Sequence, residues 1–415
     1  MTQKAKELRK TTNHAVYYID MQLFHKKNNA RRVIVLDVGS GTVGGSIISC
    51  PQKEGIPAHP TIEKTFRMPI VVKDNISFAT LLEGTLVSVK KCVEHLVTGE
   101  KNIPHNIHVI ISSPWHASQT RVVTLSKMTP FTFTQKLHDE LLEKELRAFE
   151  EEYKTKFGSL GEDVVIVESN TMSARLNGYS VLSPDGKSAS SVELSLFISM
   201  SPKEVLSKIE SSVQSASHRS TVHFHTSIFS VFTTMRDTFA DTKDFLIVDV
   251  GGELTDISFI EADVILENAS FPCGRNHFAR IVTEELGKSK DEAEAMLSLY
   301  RDNTLESNLV AGMEKAVLKA ESVWIKSFSQ ALATLSSDIF IPPTIFVLVD
   351  ENHEKWVKGA LDDEALMPYQ IAGEKFNVIV IKLPLFKEWL TYIPGATYDV
   401  YMGMLALYIT RRTES

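Results

Sequence analysis

Two stretches of this chain echo one another: RRVIVLDVGSGTVGGSII at residues 31–48 and FLIVDVGGELTDISFI at residues 245–260. Each is an apolar, β-branched run that ends in Asp, Val and Gly, passes a turn and resumes as a second apolar run. Such runs bounded by glycine predict strand, turn, strand. Asp37 and Asp249 hold equivalent places, 212 positions apart. Glycines let a backbone approach a ligand closely. Successive turn amides make an anion-binding concavity, and a carboxylate at the strand end can hold a metal through water. One such hairpin is usually only a hairpin. A matched pair predicts two similar halves facing one cleft, with a phosphate held between them.

A chain of 415 residues exceeds one ordinary domain. Cys50, Cys92 and Cys273 are far apart and form no CxxC pair, which argues against a disulfide framework or zinc site and fits a reducing compartment. No apolar stretch approaches the roughly 20 residues of a membrane span, and the polar N-terminus shows no secretory signal. These features predict a cytoplasmic protein, at most associated with the inner face of the cell membrane. A net charge of −8 makes no case for nucleic-acid binding. Residues 1–32 are different, with eight Lys/Arg against Glu7 and Asp20. Val16, Ile19 and Leu23 share one helical face there, so the segment could lie on an anionic membrane surface. The simpler reading is a solvated tail leading into an extra element, since Asp20 interrupts the apolar face.

Residues 68–74 read as a strand and 76–99 as a helix stopped by Gly99. A separate unit is expected at 105–200. It holds a strand at 106–115, an extended Pro-broken stretch at 122–134, a long charged helix at 135–158 capped by Thr134, and strands at 163–181 and 191–200. The charges of that helix stand at i,i+4 spacing, the pattern of a solvated face. Helices follow at 201–216 and 228–240, then at 276–301 and 304–330. Strands at 343–350 and 377–384 and a helix at 396–409 close the chain. The expected class is α/β with two lobes. The division is a basic segment (1–30), lobe I (31–104 and 201–243) around the inserted unit, lobe II (244–392, its small part near 276–340), and a C-terminal helix (393–415).

His223 and His225 lie two apart on one strand face, with His218 nearby. Two such histidines can bind a metal, but a third and fourth ligand are not evident. No GxSxG nucleophile signature is present. The aromatic runs TPFTF and SIFSVF read as core, and Ser113-Pro114-Trp115 as a strand-end turn with a packed Trp.

With these residues in view, the chain resembles the actin-like ATPase superfamily, and within it the FtsA/PilM branch. Asp37-Val38-Gly39-Ser40-Gly41 resembles the first phosphate motif, and Asp249-Val250-Gly251-Gly252 through Asp256 the second. The strand-helix-strand-strand unit resembles the SHS2 (1C) subdomain. Residues 271–296, with a Gly274-x-Asn276 turn, are similar to the segment after the second phosphate loop, and 396–407 to the closing helix. The resemblance implies a duplicated, ribonuclease H-like fold binding ATP with Mg. Asp37 and Asp249 would then orient metal-bound waters. Gly39, Ser40, Gly41, Thr42, Gly251 and Gly252 would hold phosphates, and Gly274, Asn276 and Glu294 would belong to the nucleotide site. Asp256 would orient an attacking water or simply cap a strand turn.

The chain also departs from the family pattern. Thr42 stands where Lys or a small hydroxyl residue is usual, and without Lys a direct charge contact to phosphate is missing. Glu253 and Leu254 replace the end of a Gly-Gly-Gly-Thr loop, and a carboxylate beside a phosphate nest repels the anion. Leu297 replaces a nucleoside-contacting Lys. Asp350, Glu351 and Asn352 follow strand 343–350 where a Gly-Gly turn is usual. The pattern predicts a kept fold with weakened ATP binding and slight or absent hydrolysis. The resemblance implies an FtsA-like scaffold in bacterial cell division, partnering a tubulin-like protein and self-associating. The alternative is a PilM-like scaffold of type IV pilus assembly that binds the cytoplasmic tail of an inner-membrane partner. A sugar or acetate kinase of the superfamily is a third reading and needs an intact nucleotide site. The chain ends without the amphipathic helix usual in FtsA, so any membrane contact is expected to be peripheral.

Overall fold

The computed structural model describes residues 31–50, 59–72, 76–157, 163–218, 220–335, 341–370 and 373–412. The basic segment 1–30, its membrane-surface reading included, lies outside the described residues.

The chain opens with the hairpin β1 (Arg31–Val38) and β2 (Thr42–Cys50), adds β3 (Thr61–Pro69), and crosses by α1 (Phe78–Val97) to β4 (Asn106–Ile111). The inserted unit follows as β5 (Ala117–Thr132), α2 (Gln135–Phe157), β6 (Val164–Leu176), the short β7 (Tyr179–Ser180) and β8 (Ser188–Pro202). Helix α3 (Lys203–Ala216) returns the chain to β9 (Thr221–Thr226) and α4 (Ser227–Thr238). The second half repeats the opening with β10 (Phe245–Val250), β11 (Thr255–Glu261) and β12 (Val264–Phe271). Helices α5 (Arg275–Leu286), α6 (Lys290–Arg301) and α7 (Ser307–Leu335) lead to β13 (Thr344–Leu348), α8 (Glu354–Leu361) and β14 (Asn377–Val380). The short β15 (Thr391–Tyr392) and helix α9 (Val400–Arg412) complete it.

The two halves share one plan. In the first sheet β3, β2 and β1 are antiparallel neighbours, and β4 and β9 continue in parallel from β1. In the second, β12, β11 and β10 do the same, with β13 and β14 continuing from β10. Both faces of the central strands are buried, so β1 and β10 read as continuous apolar runs rather than alternating ones. Ile34 and Leu36 face α1 and α3 on the outside of lobe I, while Val33 and Val35 face inward. Leu246 and Val248 likewise face α5 and α7, while Phe245 and Ile247 face inward. The inward sets meet through α4 and α9, whose apolar residues join both lobes in one core.

Several sequence expectations shift. Residues 106–111 belong to lobe I, paired in parallel with β1, so the inserted unit begins at β5 rather than at 105. Its sheet runs β5-β8-β6-β7 with α2 packed over Leu194, Leu196 and Ile198. The strand expected at 68–74 lies earlier, at Thr61–Pro69, where it pairs with β2. Residues 276–301 form two helices, because Gly287 takes a left-handed φ of 61° and ends the first. Ser289 with Glu292 then caps the second reciprocally. The SIFSVF run is core, as part of α4. Thr391 and Tyr392 return to lobe I beside β3.

A buried carboxylate joins the insertion to the body. Glu168 of β6 accepts hydrogen bonds from the Thr226 amide (3.1 Å), Tyr408 Oη (2.8 Å) and Arg412 Nη1 (3.0 Å). His225 Nδ1 lies 3.5 Å from it, and His225 Nε2 is 3.0 Å from His108 Nδ1. Burial opposes the ionised form of Glu168, but the bonds from His225, Arg412 and Thr226 hold its pKa below the usual value. The histidines are thus structural, and no metal-holding cluster occurs among the described residues. Burial drives His108 well below its ordinary pKa and His116 down to about 4.

Acid sensitivity follows. Above pH 6.5 these histidines are neutral whether the chain is folded or not. Below it, only the unfolded chain takes up their protons, so stability falls with pH until the folded pKa is reached. His116 alone contributes a slope of up to roughly 1.4 kcal/mol per pH unit between its unfolded and folded values. Glu168 adds a further loss as pH drops through its folded pKa. Urea melts from pH 7 to pH 4 should show this slope, and His116→Phe should flatten it. Equal slopes in the two proteins would contradict the assignment.

Candidate functional site

The ends of the two hairpins meet where the halves face each other. Asp37 ends β1 across from Gly44, and Asp249 ends β10 across from Asp256. The turns are Gly39-Ser40-Gly41 and Gly251-Gly252-Glu253-Leu254. They touch directly. A Cβ built on Gly252 would lie 2.2 Å from Gly41 Cα, and one on Gly41 would lie 2.6 Å from Gly252 Cα. Only glycine permits this approach at either position. Ser40 Oγ accepts the Glu253 amide at 2.9 Å, so an amide of the expected phosphate nest is engaged by the opposite loop.

The second loop also caps α5. The amides of Arg275 and Asn276 donate to the carbonyls of Gly251 (3.0 Å) and Gly252 (2.8 Å). A helix N-terminus is a natural anion site because its first amides lack partners. Here two of those amides are used within the chain. Gly274 sits against the same loop, where a Cβ would be 2.4 Å from the Gly252 carbonyl oxygen.

The carboxylates expected to orient metal waters have protein partners. Asp37 accepts from Arg67 Nη1 at 2.9 Å, and Asp249 from Tyr401 Oη at 2.9 Å. Asp256 accepts from Ser270. Burial raises the pKa of all three, and the neighbouring Asp256 adds to the effect at Asp249, which reaches about 7. Arg67 also donates to Thr42 Oγ1 (2.9 Å) and to both oxygens of Asp399 (2.7 and 3.2 Å). Arg275 reaches Thr42 Oγ1 at 3.4 Å and Asp350 at 3.5 Å.

Glu253 does not face the phosphate nest. Its carboxylate is turned onto α5, where Arg280 grips both oxygens (3.2 and 2.8 Å) and Asn276 Nδ2 donates at 2.9 Å. The repulsion expected from the sequence is therefore relieved by Arg280. Asp350 pairs with His353 and Arg275 and, despite burial, is held below its usual pKa by His353. Leu297 lies in the lobe II core. Glu294 lies on the exposed side of α6 and does not line the cavity between the loops.

That cavity is bounded by Asp37, Ser40, Arg67, Asp249, Arg275 and Tyr401, among others, and has a volume of about 30 Å³. The carboxylates and loop amides that would hold a metal and phosphates there already have partners within the chain. The residues present do not fit ATP with Mg in this arrangement.

Sequence reasoning missed Arg67, Arg275, Arg280, Tyr401 and Asp399. Nothing in the sequence marked Arg67, because the strand was expected at 68–74. Gly44 faces Arg67 on β3 as Asp256 faces Ser270 on β12, so the duplication aligns Arg67 with Ser270.

No protein-family model matches the chain, and no curated protein matches it in sequence. Among solved structures it is similar to the PilM–PilN type IV pilus biogenesis complex, over 92% of this chain and 98% of that chain, at 12% identity and a TM-score of 0.61. Ethanolamine utilization protein EutJ from Carboxydothermus hydrogenoformans is a looser likeness, covering 92% of each chain at 12% identity and a TM-score of 0.42. The duplicated sheet plan and the first of these likenesses show the actin-like ATPase fold. The uncovered remainder of the chain is far shorter than the inserted unit, so the first likeness takes in much of that unit too.

Removing Arg280 leaves Glu253 buried with Asn276 as its remaining side-chain partner. Arg280→Met should destabilise the protein by about 1–3 kcal/mol, less than a fully buried pair because the guanidinium is partly exposed. Adding Glu253→Gln should recover much of that loss in a denaturant melt. No recovery would show that the pair matters through packing rather than charge.

Proposed function

We propose that this chain is an actin-fold scaffold of a membrane-bound assembly machine of the type IV pilus kind, working through protein contacts rather than phosphoryl transfer. The observation that carries the reading is a groove at the root of the inserted unit. Phe78, Leu82 and Leu86 of α1 face Pro202 and Val205 across it, with Asp163 at its edge, and it encloses about 620 Å³. The groups around the interlobe cavity, by contrast, are paired with one another. An apolar groove with charged edges suits a peptide segment that buries apolar side chains while its polar groups stay solvated.

The full-length likeness to PilM, solved as a complex with PilN, supports a partner of the pilus-assembly class. No described helix is long and apolar enough to cross a membrane, so a membrane partner would supply that link. The FtsA-like division reading shares the fold, and no feature of this chain favours it over the pilus reading. A kinase reading needs carboxylates and loop amides free for a metal and phosphates, whereas here they are paired within the chain.

A photoreactive residue in place of Leu86, expressed in the native cell, tests the proposal. It should crosslink to the cytoplasmic tail of a single-span membrane protein encoded beside this chain. Crosslinking to a tubulin-like GTPase alone would move the assignment to division. Absence of any crosslink from a folded variant would remove the groove as the docking site.

A further inference from the structure

The cleft between the lobes gathers Asp37 from one side and Asp249 and Asp256 from the other. Like charges brought together away from water repel unless a cation joins them. Arg67 meets this need by a specific route. It lies on β3, two strands away from Asp37, with Gly44 of β2 between them. A Cβ on Gly44 would come within 2.6 Å of the Arg67 guanidinium. The missing side chain is thus the passage through which Arg67 crosses β2 to reach Asp37 and Thr42. Its other edge holds Asp399, and its charge lies 5.5 Å from the centre of the Tyr401 ring.

From this hub the contacts cross to lobe II. Tyr401 donates to Asp249, Arg275 reaches back to Thr42, and Ser40 accepts the Glu253 amide. Ser113, after β4, lies 3.2 Å from Ser270 on β12, which in turn donates to Asp256. We propose that the cleft is a nucleotide-independent latch, in which Arg67 and Arg275 supply the positive charge that a metal–nucleotide complex would otherwise bring, so that the lobes stay closed by side chains alone. The body is then a scaffold of one shape rather than a nucleotide-driven switch. This holds whichever partner occupies the groove.

Hydrogen exchange of residues 39–42 and 251–254, read by mass spectrometry, tests the latch. In the wild-type protein both loops should be protected, and millimolar ATP–Mg should change neither their exchange nor the calorimetric baseline. Arg67→Met should speed exchange in both loops by about tenfold or more while the circular dichroism spectrum is kept. Gly44→Val, which keeps Arg67 in the chain but blocks the passage its guanidinium takes to Asp37, should do the same. Micromolar ATP–Mg binding by the wild-type protein would overturn the proposal. So would wild-type exchange in a folded Gly44→Val or Arg67→Met. The wild-type arms decide the question even where a variant fails to fold, and a negative crosslink at Leu86 leaves all of these outcomes unaffected.

Discussion

The contact between Gly41 and Gly252 is the constraint on which the relation of the two lobes depends. Two backbones in contact leave no side chain and no ligand between them. Everything around the cleft is consistent with that closeness. Ser40 is positioned to take the Glu253 amide, the second loop can cap α5, and the aspartates of both hairpins come close enough for burial and one another's charge to raise their pKa values. The core formed by α4 and α9 holds the sheets at this separation from the other side.

The duplicated plan brings two hairpin turns face to face. In this chain the same duplication has been filled differently in its two halves. At one register row, β1 to β3 read Asp37, Gly44, Arg67, while β10 to β12 read Asp249, Asp256, Ser270. Lobe I therefore contributes an acid and its own cation, and lobe II two acids and a hydroxyl. Arg67 accordingly pairs with Asp37 within lobe I, while Asp249 is bonded by Tyr401 of α9 and Asp256 by Ser270.

The insertion takes part in this closure. Glu168 holds it to α9 and to the start of α4, and its edge strand β5 bonds to β12 through Thr120 with Ile265 and Ser118 with Asn268. It thus touches both lobes, and a groove lies at its root beside α1 and α3. On the proposed latch, a partner seated there would bear on a body of one shape.

The sequence by itself determined the duplication, the positions of Asp37 and Asp249 at strand ends, the α/β class and the presence of an inserted strand-helix-strand unit. These rest on local periodicity and on glycine at turns, which act over a few residues. It also marked Thr42, Glu253, Leu297 and Asp350 as out of pattern, but read Glu253 as facing a phosphate. Only the tertiary structure decided that Glu253 turns onto Arg280, that Arg67 passes over Gly44 to Asp37, and that Tyr401 reaches Asp249 from the last helix. Those partners are 27, 30 and 152 positions apart. No local pattern encodes them, because a carboxylate is neutralised by whichever cation the packed sheets bring within hydrogen-bonding distance.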